Sequence, residues 1–158
     1  MSYSLILIDL QPIFSAAAKP SVQQACIREI KKAIKDRAPI IFVEFNGYEP
    51  TLPLLTEVVK QANYKKAYHV VKYGNDGGYE ISQFLTKKHL PKMNMRVCGV
   101  NSNYCVKETV QGLKNCIPGA NIHVVADACN CAYGSHKTGL QSMSQLPGVK
   151  VIRAKGII

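Results

Sequence analysis

Residues 4–9 read Ser4-Leu5-Ile6-Leu7-Ile8-Asp9, four consecutive aliphatic side chains that stop at an acid. A half-exposed strand alternates apolar and polar residues. An unbroken apolar run this short suits a strand covered on both faces, as in a parallel sheet. Ile40-Ile41-Phe42-Val43-Glu44-Phe45 repeats the pattern, and further runs rich in Val and Ile lie at 68–71, 95–100, 121–126 and 149–152. Between these runs apolar residues recur at helical spacing: Val22, Cys26, Ile27, Ile30, Ala33 and Ile34 over 21–36; Leu55, Val58, Val59 and Ala62 over 52–62; Ile81, Phe84 and Leu85 over 79–89; Val106, Val110 and Leu113 over 102–116; and a weaker pattern over 136–146. Ser21-x-x-Gln24 reads as a capping box, and Thr51 as the cap of the second helix. Six strands alternating with five helices predict an α/β fold, a three-layer Rossmann-like sandwich around a six-stranded parallel sheet, formed as a single domain over residues 1–158.

Composition narrows the function. The chain has 158 residues, 47% of them apolar and 19% charged, which suits one globular domain and argues against wholesale disorder. No apolar run approaches the ~18 residues of a membrane span, and no basic region precedes the first run, so a soluble cytoplasmic protein without membrane partners is expected. Twenty Lys and Arg against ten Asp and Glu give a formal charge of +10. Such a balance suits nucleic acid, an anionic substrate, or simply a solvated basic surface. The densest cluster, Lys31, Lys32, Lys35 and Arg37, falls toward one side of a predicted helix with no interleaved aromatic residues, so no specific nucleic-acid partner is expected. The segment after the first strand, Asp9-Leu10-Gln11-Pro12, has no glycine-rich dinucleotide signature. Six cysteines in a chain of this kind read as reduced thiols, mostly small core residues. Cys129-Asn130-Cys131 with His136 is half of a zinc-type pattern and lacks a second pair, so neither a metal nor a cofactor is expected.

In parallel α/β folds functional groups gather at the carboxyl ends of the strands. Three residues pass that filter. Asp9 ends the first strand, as a general acid/base or a loop-capping carboxylate. Lys72 ends the third, as a fixed charge in the crevice or a surface lysine. Cys105 follows the fourth in Cys98-Gly99-Val100-Asn101-Ser102-Asn103-Tyr104-Cys105-Val106, as a nucleophile in the first turn of a helix or a core thiol. A lysine and a helix N-terminus favour thiolate, and a nearby carboxylate can shuttle the proton.

These segments resemble the isochorismatase-like cysteine hydrolases, which include nicotinamidases and ureidoacrylate and carbamoyl-type amidohydrolases. The matching pieces are Leu5-Ile6-Leu7-Ile8-Asp9-Leu10-Gln11, Val71-Lys72, Gly99 through Val106, and Val124-Val125-Ala126-Asp127-Ala128, in family order over roughly residues 4–152. The resemblance implies a catalytic triad of Asp9, Lys72 and Cys105, and an oxyanion hole from the N–H groups of Asn101 and Cys105 with a cis bond at Val100–Asn101. It implies covalent cleavage of a C–N bond in a small molecule, and a homo-oligomer. Gln11, Phe14, Tyr79 and Tyr104 are the candidate pocket residues.

The chain departs from the family in two places. Nicotinamidases hold a metal with an Asp and two His after the second strand, where this chain reads Asn46-Gly47-Tyr48-Glu49-Pro50-Thr51 with no histidine. The family's frequent Ser-Ala-Phe after the lysine is replaced by Asn75-Asp76-Gly77-Gly78-Tyr79. Two glycines read as a flexible turn, Tyr79 as a shifted replacement for the ring, and Asp76 as a charge whose partner the sequence does not name. The altered loop leaves open a second reading, a retired family member serving as a binding or assembly module.

Overall fold

The computed structural model describes residues 2–153 together with Gly156 and Ile157. Six parallel strands, β1 (Ser4–Ile8), β2 (Ile40–Phe45), β3 (Ala67–Lys72), β4 (Asn94–Val100), β5 (Asn121–Asn130) and β6 (Val149–Arg153), alternate with five helices: α1 (Pro20–Lys35), α2 (Pro53–Gln61), α3 (Gly78–Lys87), α4 (Cys105–Cys116) and α5 (His136–Ser144). The strand order is β3-β2-β1-β4-β5-β6, and a two-residue β7 (Gly156–Ile157) pairs antiparallel with β6. The predicted three-layer α/β sandwich is therefore the fold. The apolar ending at 156–158 continues along the sheet as far as Ile157, and Ile158 lies outside the described residues.

Burial on both faces explains the unbroken apolar runs. Leu5, Leu7, Ile40 and Phe42 pack with α1 and α2 on one side, while Ile6, Ile8, Ile41 and Val43 pack with α3 and α4 on the other. Every side chain of β1 is buried. The strand order reverses between β1 and β4, which flank one another at the centre of the sheet, so the crevice beyond their carboxyl ends is where such folds place ligands. No helix among the described residues is long and apolar enough to cross a membrane.

Several boundaries differ from the sequence expectation. The first two helices begin with Pro20 and Pro53 in their first turn, and no side chain caps either. Proline's fixed φ starts the helix, and its missing N–H removes a donor a cap would serve. Ser21 is thus inside α1, and Thr51 serves Glu44: its N–H and hydroxyl both donate to Glu44 Oε2, at 2.7 and 2.8 Å. β5 runs four residues past the predicted 126. Val97 pairs with Val124 but Gly99 with Cys129, so the strand bulges around Asp127 and then rejoins β4. The fourth helix starts at Cys105 because residues 101–104 form the turn that carries the site.

Candidate active site

Three strand ends meet in the central crevice. Asp9 ends β1 with φ 55°, a left-handed conformation that Asp adopts more readily than most residues, and its N–H donates to Val43 O at 2.9 Å. Lys72 ends β3 with its whole side chain buried, and its Nζ lies 3.1 Å from Asp9 Oδ2. The same Nζ donates to Gly74 O at 2.8 Å and Asn75 O at 3.3 Å, and stands 4.1 Å from the centre of the Phe45 ring. The surface-lysine alternative is thereby excluded. Besides that ion pair, the Asp9 carboxylate has the Cys105 thiol as a hydrogen-bonding neighbour.

The turn that delivers Cys105 is anchored on β5. Ser102 N–H donates to Asn130 O at 2.8 Å, and Ala132 N–H donates to Asn101 Oδ1 at 2.8 Å. The Val100–Asn101 bond is cis. Ser102, fully buried, hydrogen-bonds His136 Nδ1 through its hydroxyl at 2.7 Å. Gly99, at φ 135°, has to be glycine, since a Cβ there would collide with the Ile8 carbonyl. Among the described residues neither the Asn101 nor the Cys105 backbone N–H donates a hydrogen bond. The Cys105 thiol donates to Asn75 Oδ1 at 3.6 Å.

Electrostatics reverse one expectation. Burial raises the Asp9 carboxyl above its ordinary value, against the pull of Lys72. Burial, followed by the charge of Asp9, pushes the Cys105 thiol up to about 12, against the opposing pull of Lys72. Burial and the Asp9 charge therefore favour the thiol form of Cys105, against the thiolate that a nearby lysine and a helix end suggest. The ammonium is already matched by Asp9, and the thiol is only 8% exposed. What the arrangement offers is a buried carboxylate, raised in basicity, beside a thiol that can give it a proton.

The pocket residues divide. Gln11 is fully buried and spent as a strut: its Nε2 donates to Phe45 O and Glu49 O at 3.2 and 2.9 Å, and its Oε1 accepts from Phe45 N–H at 2.8 Å. Phe14 stands edge-on to Tyr48 at 5.7 Å and tilted against Phe45 at 6.3 Å, so it belongs to an aromatic wall. Tyr104 precedes α4, partly exposed, with its hydroxyl toward Gly134. Tyr79 is 65% exposed and does not replace the family's phenyl ring. The ring against the lysine is Phe45, which the strand-end filter marks as plainly as Lys72. The Gly77-Gly78 pair is not a flexible turn. A Cβ on Gly77 would lie 2.8 Å from Lys72 Cδ, and one on Gly78 would lie 2.5 Å from the Gly112 backbone of α4. The partner of Asp76 is the Gly78 N–H at the start of α3, which donates to its Oδ1 at 2.7 Å.

The segment where nicotinamidases hold metal does not fit an ion. Glu44 is engaged by Thr51 and by His69 Nδ1 at 3.1 Å, and no group of three or more His, Cys, Asp or Glu among the described residues is arranged to hold one. Two other concave regions lie away from the thiol. One, of about 870 Å³, sits at the amino ends of the strands near Tyr3, Arg37, Lys66 and Arg96. The other, of about 1100 Å³, lies between α1 and α5.

The isochorismatase domain family model matches residues 3–155. No curated protein matches the sequence. Among solved structures, the chain is similar to the MAR1 ribonuclease from Caenorhabditis elegans (22% identity, TM-score 0.79, covering 95% of this chain and 76% of that one). It is also similar to N-carbamoylsarcosine amidase from Thermoplasma acidophilum (16%, TM-score 0.77, 99% of each chain). A third is a nicotinamidase from Staphylococcus aureus (17%, TM-score 0.78, 94% and 99%). At these identities the likeness is one of fold.

Proposed function

Because the chain belongs to the isochorismatase family, we propose that it is a cysteine hydrolase that cleaves the C–N bond of a small amide or carbamoyl compound through an acyl intermediate on Cys105. The observation that carries this reading is the buried Asp9–Lys72 pair beside a thiol at the topological switch point.

Asp9 takes the proton of Cys105 as Sγ attacks the carbonyl carbon. The resulting oxyanion is held by the N–H groups of Asn101 and Cys105, each such donor contributing about 2.7–4 kcal/mol to transition-state stabilisation. Collapse breaks the C–N bond, and the departing nitrogen takes the proton from Asp9. A water then gives a proton to Asp9 as its oxygen adds to the thioester. The second collapse frees the acid, and the proton returns to sulfur. Lys72 keeps Asp9 ionised in a buried place and holds the 74–75 loop. The net change is amide plus water to carboxylic acid plus amine.

The test is intact-mass spectrometry during incubation with a panel of primary amides and carbamoyl compounds. An acyl adduct on Cys105 that builds up and decays with product, and is absent in Cys105→Ala, is the expected result. Turnover that persists in Cys105→Ala removes the thiol from the mechanism. A folded wild type that neither turns over nor acylates with any compound favours the binding-module reading.

A further inference from the structure

The Asn75 side chain stands between the thiol and a carboxylate. Its Nδ2 donates to Glu108 Oε2 at 3.1 Å, while its Oδ1 accepts from Cys105 Sγ at 3.6 Å. An ionised carboxylate only accepts, so Glu108 fixes the sense of the amide: NH2 toward Glu108, carbonyl oxygen toward sulfur. The backbone is pinned as well, because Asn75 O accepts from Lys72 Nζ at 3.3 Å and from Thr109 Oγ1 at 3.2 Å. A hydrogen-bond acceptor is thus held beside the reacting atom by three contacts, to Glu108, Lys72 and Thr109.

At rest that acceptor is matched by S–H. Once the proton passes to Asp9, Oδ1 faces a thiolate, and two electron-rich atoms oppose one another unless a new donor arrives. A substrate N–H next to the reacting carbonyl supplies it; an ester oxygen does not. The surroundings also disfavour anions. Glu108 and Asp76 flank Asn75, and Glu80 accepts from the Tyr73 N–H at 3.3 Å on the same loop. The charge of Lys72 is answered by Asp9, and Lys107 donates to Asn103 Oδ1. The excess cations of the chain include the exposed group Lys31, Lys32, Lys35 and Arg37 around the end of α1, away from this loop.

We propose that Asn75, oriented by Glu108, is the specificity-determining residue of the site, selecting neutral substrates that carry an N–H on the reacting carbonyl, primary amides and ureido groups, over esters and over anions. This rests on the reading of Cys105 as the nucleophile. It also replaces the anionic substrate that the overall charge suggests.

The experiment follows alkylation of each cysteine in the full chain, by peptide mass spectrometry, with iodoacetamide, methyl iodoacetate and iodoacetate. Each rate is divided by that of glutathione at the same pH. At wild-type Cys105 the normalised iodoacetamide rate should exceed that of methyl iodoacetate by about tenfold, the worth of one hydrogen bond, with iodoacetate slowest. Asn75→Ala should bring the first ratio close to one. Glu108→Gln, whose amide lets Asn75 turn either way, should lower it several-fold. If Asn75→Ala misfolds, seen as labelling of the buried Cys98 and Cys129, Asn75→Ser and Glu108→Gln carry the comparison. A wild-type ratio near one, a ratio unchanged in these variants, or iodoacetate reacting fastest overturns the proposal and leaves the nucleophile standing. Turnover that persists in Cys105→Ala, or a folded wild type in which no primary amide or carbamoyl compound acylates Cys105, overturns the nucleophile reading itself.

Discussion

Lys72 Nζ lies 3.1 Å from Asp9 Oδ2, and the two side chains are 0% and 1% exposed. Each charge is stable in the interior only because the other is there. The pair ties the end of β3 to the end of β1 across the intervening β2, and the lysine's remaining donors tie both to the loop that carries Asn75.

Removing one partner should therefore do two kinds of damage. Asp9→Asn keeps a residue that tolerates the left-handed backbone but leaves a buried ammonium without its counter-charge. Urea unfolding should show a loss of about 3–5 kcal/mol, and the rate of Cys105 acylation should fall by ~10²–10⁴. The double variant Asp9→Asn/Lys72→Met should be more stable than the sum of the single losses implies. Additive losses would mean the two charges are not coupled.

Alkaline pH should loosen the fold. Burial holds the Cys98 and Cys129 thiols well above their ordinary range and pushes Cys105 up to about 12. In the unfolded chain these thiols ionise near pH 8.5, so above that pH the unfolded state binds fewer protons and stability declines as pH rises, for Cys105 until about pH 12. Each thiol contributes roughly 1.4 kcal/mol per pH unit once its unfolded form is fully ionised. Asp9 acts in the same direction at lower pH: its raised value makes the fold relatively more stable in acid, an advantage lost as pH rises through the folded pKa. Urea midpoints between pH 7.5 and 10.5 should fall progressively more steeply, less so in Cys105→Ala. A flat profile contradicts the assignment.

Acid acts through His123, whose pKa burial also lowers, and at the site through His136. Burial lowers its pKa, so the folded protein holds it neutral, bonded to the Ser102 hydroxyl. A depressed histidine binds fewer protons folded than unfolded, so stability should fall as pH drops below the unfolded value of ~6.5. His136→Asn should make that arm shallower between pH 7 and 5, with His123 left to carry the rest, and slow Cys105 chemistry, because Ser102 belongs to the turn that presents the thiol. Unchanged acid sensitivity in the variant would clear His136 of this role.

Gly78→Ala should be costly despite its size. The new methyl would lie 2.5 Å from the Gly112 carbonyl carbon, a backbone atom that cannot step aside. Thermal unfolding should report a loss of about 1–3 kcal/mol, as overpacking typically gives. A change within 0.5 kcal/mol would show that α3 and α4 can part without penalty.

The strands were legible because β1 and β2 are buried on both faces, and that condition writes itself as unbroken aliphatic runs. β5 was legible only to residue 126, since Asp127 interrupts the run at the bulge and nothing local says that Cys129 rejoins β4. The helix starts misled because Ser21 and Thr51 are good caps in isolation, while Pro20 and Pro53 set the starts and Glu44 takes Thr51. Asp9, Lys72 and Cys105 could be read from their places after strands. Asn75 and Phe45 needed the tertiary structure, because their roles come from what lies opposite them. Gly77 and Gly78 read as a flexible turn for a general reason: a glycine chosen for backbone freedom and one chosen for its missing Cβ look identical in a sequence. The direction of the thiol pKa depends on burial and on Lys72 being already paired, and neither is written locally.

The contact between Gly78 and Gly112 has a mechanical consequence. Two helices that touch through side chains can slide as rotamers adjust, but here backbone meets backbone with no compliant layer between. α3, whose preceding loop grips Lys72 and carries Asn75, and α4, whose first residue is Cys105, are geared together. A displacement of the 73–78 loop is therefore passed through α3 to the helix that begins at Cys105, with no side-chain layer to absorb it.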